Sequence, residues 1–72
     1  MDKFIEQIAD ILEEEHIHLN DKLVDFDAWD SLTQLSIIAL ADEEYGVTIS
    51  AAEIREAETV GGIKKLIEEK KA

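Results

Sequence analysis

The sequence predicts an all-α fold: a four-helix bundle with three main helices, a short third helix and a long first loop. Three observations carry that prediction. Apolar residues recur at steps of three and four in separate segments, the signature of amphipathic helices. Proline is absent, which suits helices joined by short connections. The one β-branched run, Val47-Thr48-Ile49, is too short for a strand and has no partner in the sequence. At 72 residues the chain has room for a single domain spanning 1–72.

The first helix is expected over residues 3–15, with Phe4, Ile5, Ile8, Ala9, Ile11 and Leu12 on one stripe and Asp2 as its cap. Residues 16–29 lose the period. Leu19, Leu23, Val24, Phe26 and Trp29 are scattered among polar residues, which reads as a long loop pinned to the core by its apolar side chains. Loops of that length in so small a domain are often functional.

The period returns in the second helix, 31–45, where Leu35, Ile38, Ala41 and Tyr45 form the inward stripe and Ile37 and Leu40 widen it. Asp30 is placed to cap its start, and Gly46 to end it in the left-handed conformation. Val47-Thr48-Ile49 then acts as a tether. Ser50-Ala51-Ala52-Glu53 matches a capping box and opens a short third helix ending near Ala57. Thr59 caps the fourth, with Val60, Ile63, Leu66 and Ile67 inward and Lys64, Lys65, Lys70 and Lys71 outward. Gly61 and Gly62 each cost up to about 1 kcal/mol relative to Ala within a helix, so close helix packing is the reason to expect them there.

Charge narrows the functional classes. Eighteen acidic residues against seven basic ones give a net charge of −11. Such a chain repels nucleic-acid phosphates and anionic membrane surfaces, and it suits protein partners with basic patches. The absence of cysteine removes disulfides, zinc-thiolate sites and thiol nucleophiles. No apolar run approaches the roughly 18 residues needed to cross a bilayer, so no membrane insertion is expected. The start, Met1-Asp2-Lys3-Phe4, lacks the pattern of a signal peptide, and cytoplasmic residence is the expectation.

Three constellations are candidates for chemistry. Asp25-Phe26-Asp27-Ala28-Trp29-Asp30 superficially resembles a calcium loop. Counted from Asp25, however, the sixth position is Asp30 instead of Gly and the twelfth is Ser36 instead of Glu, which rejects an EF-hand. His16 and His18 follow Glu13-Glu14-Glu15 but point apart on a helix and lack a third ligand, so they read as polar residues at a helix end. Trp29-Asp30-Ser31-Leu32 reads by spacing alone as a capped helix start. A serine hydrolase is disfavoured there, because the Gly-x-Ser-x-Gly elbow is missing.

Asp30-Ser31-Leu32 stands where a long loop enters an amphipathic helix. That helix ends Asp42-Glu43-Glu44-Tyr45-Gly46-Val47, followed by Ile49 and then Thr59-Val60. In these features the whole chain resembles the acyl carrier protein family of phosphopantetheine-binding carriers. The resemblance implies covalent 4'-phosphopantetheine on Ser31, contact of Asp30 with the phosphopantetheinyl transferase, and an exposed apolar contact at Leu32. It also implies a non-catalytic monomer that presents thioester-bound acyl cargo to loading and transferring enzymes in fatty-acid or lipid metabolism. Asp42, Glu43, Glu44 and Glu53, with Glu56 and Glu58, would offer an acidic flank to basic patches on those enzymes. A bound acyl chain would have to fold between Leu35, Ile38, Tyr45, Ile49, Ile54, Ile63 and Leu66, residues equally explained as ordinary core.

The departures point to a specialised bacterial-type member. The family's fatty-acid carriers typically continue Asp-x-Val-Glu after the motif, whereas Thr33-Gln34-Leu35-Ser36 stands here and removes two acids. Asp27-Ala28-Trp29 replaces the usual Gly-containing approach. An aminoacyl or peptidyl carrier is the alternative within the family. An unmodified helical interaction module, with Trp29 and Leu32 as a protein-binding patch, is the alternative outside it.

Overall fold

Four helices account for the architecture of the computed structural model, which describes residues 3–71. They are α1 (Phe4–Leu12), α2 (Ser31–Tyr45), α3 (Ala51–Ala57) and α4 (Val60–Lys71). The core between them is apolar: Phe4, Ile8, Leu12, Ile37, Ile54, Val60, Ile63 and Ile67 are fully enclosed, and among the described residues no polar side chain is buried with them. Val47 and Ile49 are buried on either side of exposed Thr48, so the connection between α2 and α3 is the expected tether.

The helix starts follow from hydrogen bonds that are local in sequence. At α2 the Asp30 carboxylate accepts the Thr33 N–H at 2.9 Å, while the Thr33 hydroxyl oxygen accepts the Asp30 N–H at 2.9 Å. This is a reciprocal capping box, which satisfies amides that the first turn leaves open. Ser50 and Glu53 make the same exchange at α3, at 3.2 and 2.9 Å. At α4 the Thr59 hydroxyl accepts the Gly62 N–H at 2.9 Å. Gly46 ends α2 at φ +66°, as expected, and the Val47 N–H returns to the Ala41 carbonyl.

Two expectations need correction. The first helix stops at Leu12 instead of residue 15, because Glu13 turns left-handed at φ 59° and the Glu14 N–H bonds back to Ala9. Three successive carboxylates at the negative end of a helix dipole disfavour continuation, and the turn delivers Ile17 to the core. The residue before α1 is Lys3, whose side chain makes no cap bond, and Asp2 lies outside the described residues. In α2 the core face is Ile37 and Ala41, whereas Leu35 is 60% exposed. Apolar residues surround the first half of that helix, so periodicity alone could not choose its inner face.

The long loop is also more ordered than its sequence suggests. It contains a 3-10 turn at Leu23–Asp25, with Leu23 buried and Phe26 and Trp29 packed against the core. Leu19 and Val24, expected as anchors, are 43% and 73% exposed. Backbone bonds stitch the loop to the start of α4. Leu23 N–H donates to Glu58, Val60 N–H to Asp21 and Gly61 N–H to Leu19, at 2.9, 3.1 and 2.8 Å. Lys22 and Thr59 form a single antiparallel bridge, a pairing not anticipated for an all-helical chain. Glu58 joins α3 to α4 at φ 64°, ψ −38°, with the Thr59 N–H on the Ala57 carbonyl at 2.7 Å. That is a γ-turn of the rare strained kind, costing on the order of 1–3 kcal/mol.

Candidate functional site

Ser31 is the first residue of α2 and is exposed. Among the described residues no hydrogen bond engages its hydroxyl. The capping box explains its presentation: Asp30 is held extended at φ −154° by its own exchange with Thr33, so the chain turns into the helix exactly one residue later. Thr33, which stands where the family's fatty-acid carriers typically have an acid, is therefore also the structural partner of Asp30.

The first-turn amides divide into two groups. The Thr33 N–H is taken by the Asp30 side chain and the Gln34 N–H by the Asp30 carbonyl. Ser31 and Leu32 N–H groups have no such partner among the described residues, and they stand at the positive end of a 15-residue helix. A phosphodiester on the Ser31 oxygen would meet those amides and that dipole, so the residues present fit such a group.

On the C-terminal side of Ser31 the exposed surface of α2 is apolar and uncharged. Leu32 is 72% exposed and Leu35 60%. From Ser31 to Ala41 there is no charged residue, in a chain of which 35% is charged. That run was a sequence signal for an exposed contact face, and the assignment of Leu35 to the core obscured it. Ser36 turns its hydroxyl back to the Leu32 carbonyl at 3.0 Å, which lowers the polarity of the face further.

The acidic candidates are not gathered at Ser31. Asp42, Glu43 and Glu44 lie at the far end of α2, eleven or more residues on and about 16 Å along the axis. Asp42 and Glu43 are exposed, whereas Glu44 accepts a bond from Gln7 on α1 at 3.0 Å. Beside it, Tyr45 donates its hydroxyl to Gln7 at 2.6 Å, and burial, then the Glu44 charge, push that phenol above its ordinary value. Glu53 on α3 pairs with Lys70 at 2.9 Å and accepts the Ser50 N–H; the bond to Lys70 is the main reason its carboxyl titrates below its ordinary value. Glu56 and Glu58 are exposed, as are His16 and His18. Among the described residues no cluster of three or more His, Asp or Glu side chains is placed to hold a metal ion. No helix among them is long and apolar enough to cross a membrane.

Comparison with known families places most of the chain in a match. A family model described as the phosphopantetheine attachment site aligns with residues 2–67. No curated protein sequence and no solved structure matches the chain significantly.

Proposed function

Because the chain belongs to the phosphopantetheine attachment site family, whose members carry that group covalently, we propose that it is an acyl carrier protein modified at Ser31. The observation that carries the residue assignment is the free Ser31 hydroxyl at the mouth of α2, beside two open amides. When bound, the group supplies a terminal thiol on an arm about 20 Å long, on which cargo rides as a thioester.

The chain's own residues present the attachment atom and the surface around it. Asp30 fixes the helix start and stands next to Ser31, where the modifying transferase must approach. During transfer from coenzyme A the Ser31 oxygen forms the new bond to phosphorus as the pyrophosphate bond breaks and 3',5'-ADP leaves. Its proton passes to the transferase. Leu32 offers apolar area to that enzyme and to those that load and remove cargo. Asp42 and Glu43 extend the docking surface as acids for basic patches, with Glu44 and Glu53 more strongly tied to the fold. A centre with so little charge favours a dedicated set of partners over the general enzymes of fatty-acid synthesis. The chain itself performs no catalysis, acts as a monomer and works in the cytoplasm.

Intact mass tests the reading directly. Incubation with coenzyme A and a broad-specificity phosphopantetheinyl transferase should add about 340 Da, the arm's formula mass, to the wild-type chain and nothing to Ser31→Ala. A wild-type chain that gains no mass, or a Ser31→Ala chain that does, overturns the assignment.

A further inference from the structure

A cleft of about 410 Å³ opens between the loop preceding α2 and the C-terminal half of α3. That volume lies within the range of small-molecule sites, about 300–1,000 Å³. Its apolar walls are Leu23, Val24, Trp29 and Ile54. Trp29 stands two residues before Ser31, well inside the reach of the proposed arm. Between the helices, Ile49 and Ile63 are buried in the core, and Ile54 closes the floor of the cleft.

The charges at this cleft run against those of the molecule. Lys22, Arg55 and Glu58 line it, two cations to one anion, on a chain carrying −11. Arg55 is the sole arginine. The ion pairs among the described residues join Lys64 to Glu68 and Lys70 to Glu53, so the Lys22 and Arg55 head groups are left to solvent. An arginine or lysine with no carboxylate partner beside an apolar wall is suited to a ligand that has an apolar body and an anionic end. The cleft is also held in shape. Leu23 N–H on the Glu58 carbonyl and the Lys22–Thr59 bridge join its two sides. A fixed cleft requires little ordering when it is filled.

From this arrangement we infer that the cleft receives the arm-borne acyl group, and that it selects short acyl groups ending in a carboxylate. The inference rests on the proposed modification of Ser31 and adds the class of cargo. The apolar segment of the cargo lies against Trp29 and Val24, and its terminal carboxylate reaches Arg55 and Lys22 at the rim. A cargo ending in an ammonium group meets net positive charge there and is disfavoured.

The experiment loads Ser31 enzymatically from the glutaryl, pentanoyl and β-alanyl thioesters of coenzyme A, with mass confirming each adduct. The indole N–H resonance of Trp29, the single tryptophan, reports occupancy. Glutaryl should occupy the cleft roughly fivefold more than pentanoyl, the scale of an exposed charge pair. Arg55→Gln with Lys22→Gln should bring the two cargoes level, and raised salt should narrow the gap. Both substituted residues are exposed, so an unchanged amide spectrum elsewhere certifies the fold of the double variant. Equal shifts for glutaryl and pentanoyl in the wild type, or the largest shift with β-alanyl, overturn the inference and leave the modification of Ser31 standing. Absence of any mass gain defeats the modification instead.

Discussion

Gly61 donates its amide to the carbonyl of Leu19 at 2.8 Å, and a β-carbon at Gly61 would stand 2.9 Å from that same oxygen. The glycine thus lets the loop backbone lie directly on the first turn of α4. Gly62 is tighter still, since a β-carbon there would be 2.0 Å from the Ala57 carbonyl oxygen. Close packing, expected from the Gly-Gly pair, is backbone against backbone.

Substitution at these two positions should therefore oppose helix propensity. Ala gains about 1 kcal/mol over Gly in a helix interior, yet Gly62→Ala forces two main-chain segments apart and should lower stability by roughly 2 kcal/mol or more. Gly61→Ala should be destabilising as well, by about 1 kcal/mol, since the Leu19 backbone oxygen at 2.9 Å must shift to admit the β-carbon. Urea titrations of the two variants check the order. A Gly62→Ala chain more stable than wild type would contradict the geometry.

The two roles of Asp30 can be separated. Asn caps a helix about as well as Asp, so Asp30→Asn should keep stability within roughly 0.5 kcal/mol. If its charge serves the transferase, the rate of arm attachment falls all the same. Thr33→Ala should do the reverse, losing about 1 kcal/mol of stability with the capping box. Denaturation midpoints and modification rates measured on the same samples decide the matter.

Leu35 and Ile37 make a second contrasting pair. Leu35 is largely exposed, so Leu35→Ser should change stability by no more than about 0.5 kcal/mol. Ile37 is fully enclosed, and Ile37→Ala should cost about 2–5 kcal/mol. One helical turn from Ser31, Leu35 must be covered by any enzyme that reaches the hydroxyl. The same Leu35→Ser chain should then show a KM for the transferase raised by about tenfold, the effect of removing one buried leucine side chain from a contact.

Acid should weaken the junction of α3 and α4 through one group. The carboxyl of Glu53 titrates below its ordinary value of 4.5, chiefly through its bond to Lys70. A depressed value in the folded state means the contribution is complete above 4.5 and disappears as pH falls through the lowered value. Glu53→Gln or Lys70→Met should flatten that part of the stability profile. Tyr45 has the opposite sign: its phenol is raised from 10.0, so its contribution is complete below 10.0 and is lost as pH rises through the folded value. Tyr45→Phe should remove that alkaline decline. Circular dichroism melts across pH 3–11 would reveal both limbs.

Whatever depended on short-range chemistry was legible in the sequence. Asp30 and Gly46 bracket α2 at the expected residues because a cap and a left-handed stop are set within a turn of chain. Ser50 and Glu53 mark α3 for the same reason. What failed depended on distant neighbours. Leu32, Leu35, Ile37, Ile38 and Leu40 clothe α2 on every side, and only the positions of the other helices decide that Ile37 goes inward and Leu35 outward. Likewise the order in the first loop comes from residues 58–61, about forty positions away, to which no local pattern points. The exposed helix start at Ser31 was legible through the Asp30 cap. The cleft between the first loop and α3 was not, since Lys22, Trp29 and Arg55 share no motif and meet only in the fold.

The stitches from Leu19, Asp21 and Leu23 to residues 58–61 also govern the timetable of maturation. During synthesis the segment leading to Ser31 gains these backbone bonds only once the start of the last helix emerges. A polypeptide halted before that point would hold Ser31 on a less firmly fixed strand. If Ser31 bears the proposed arm, an enzyme that reads the finished shape should charge such a truncated polypeptide more slowly than the full chain.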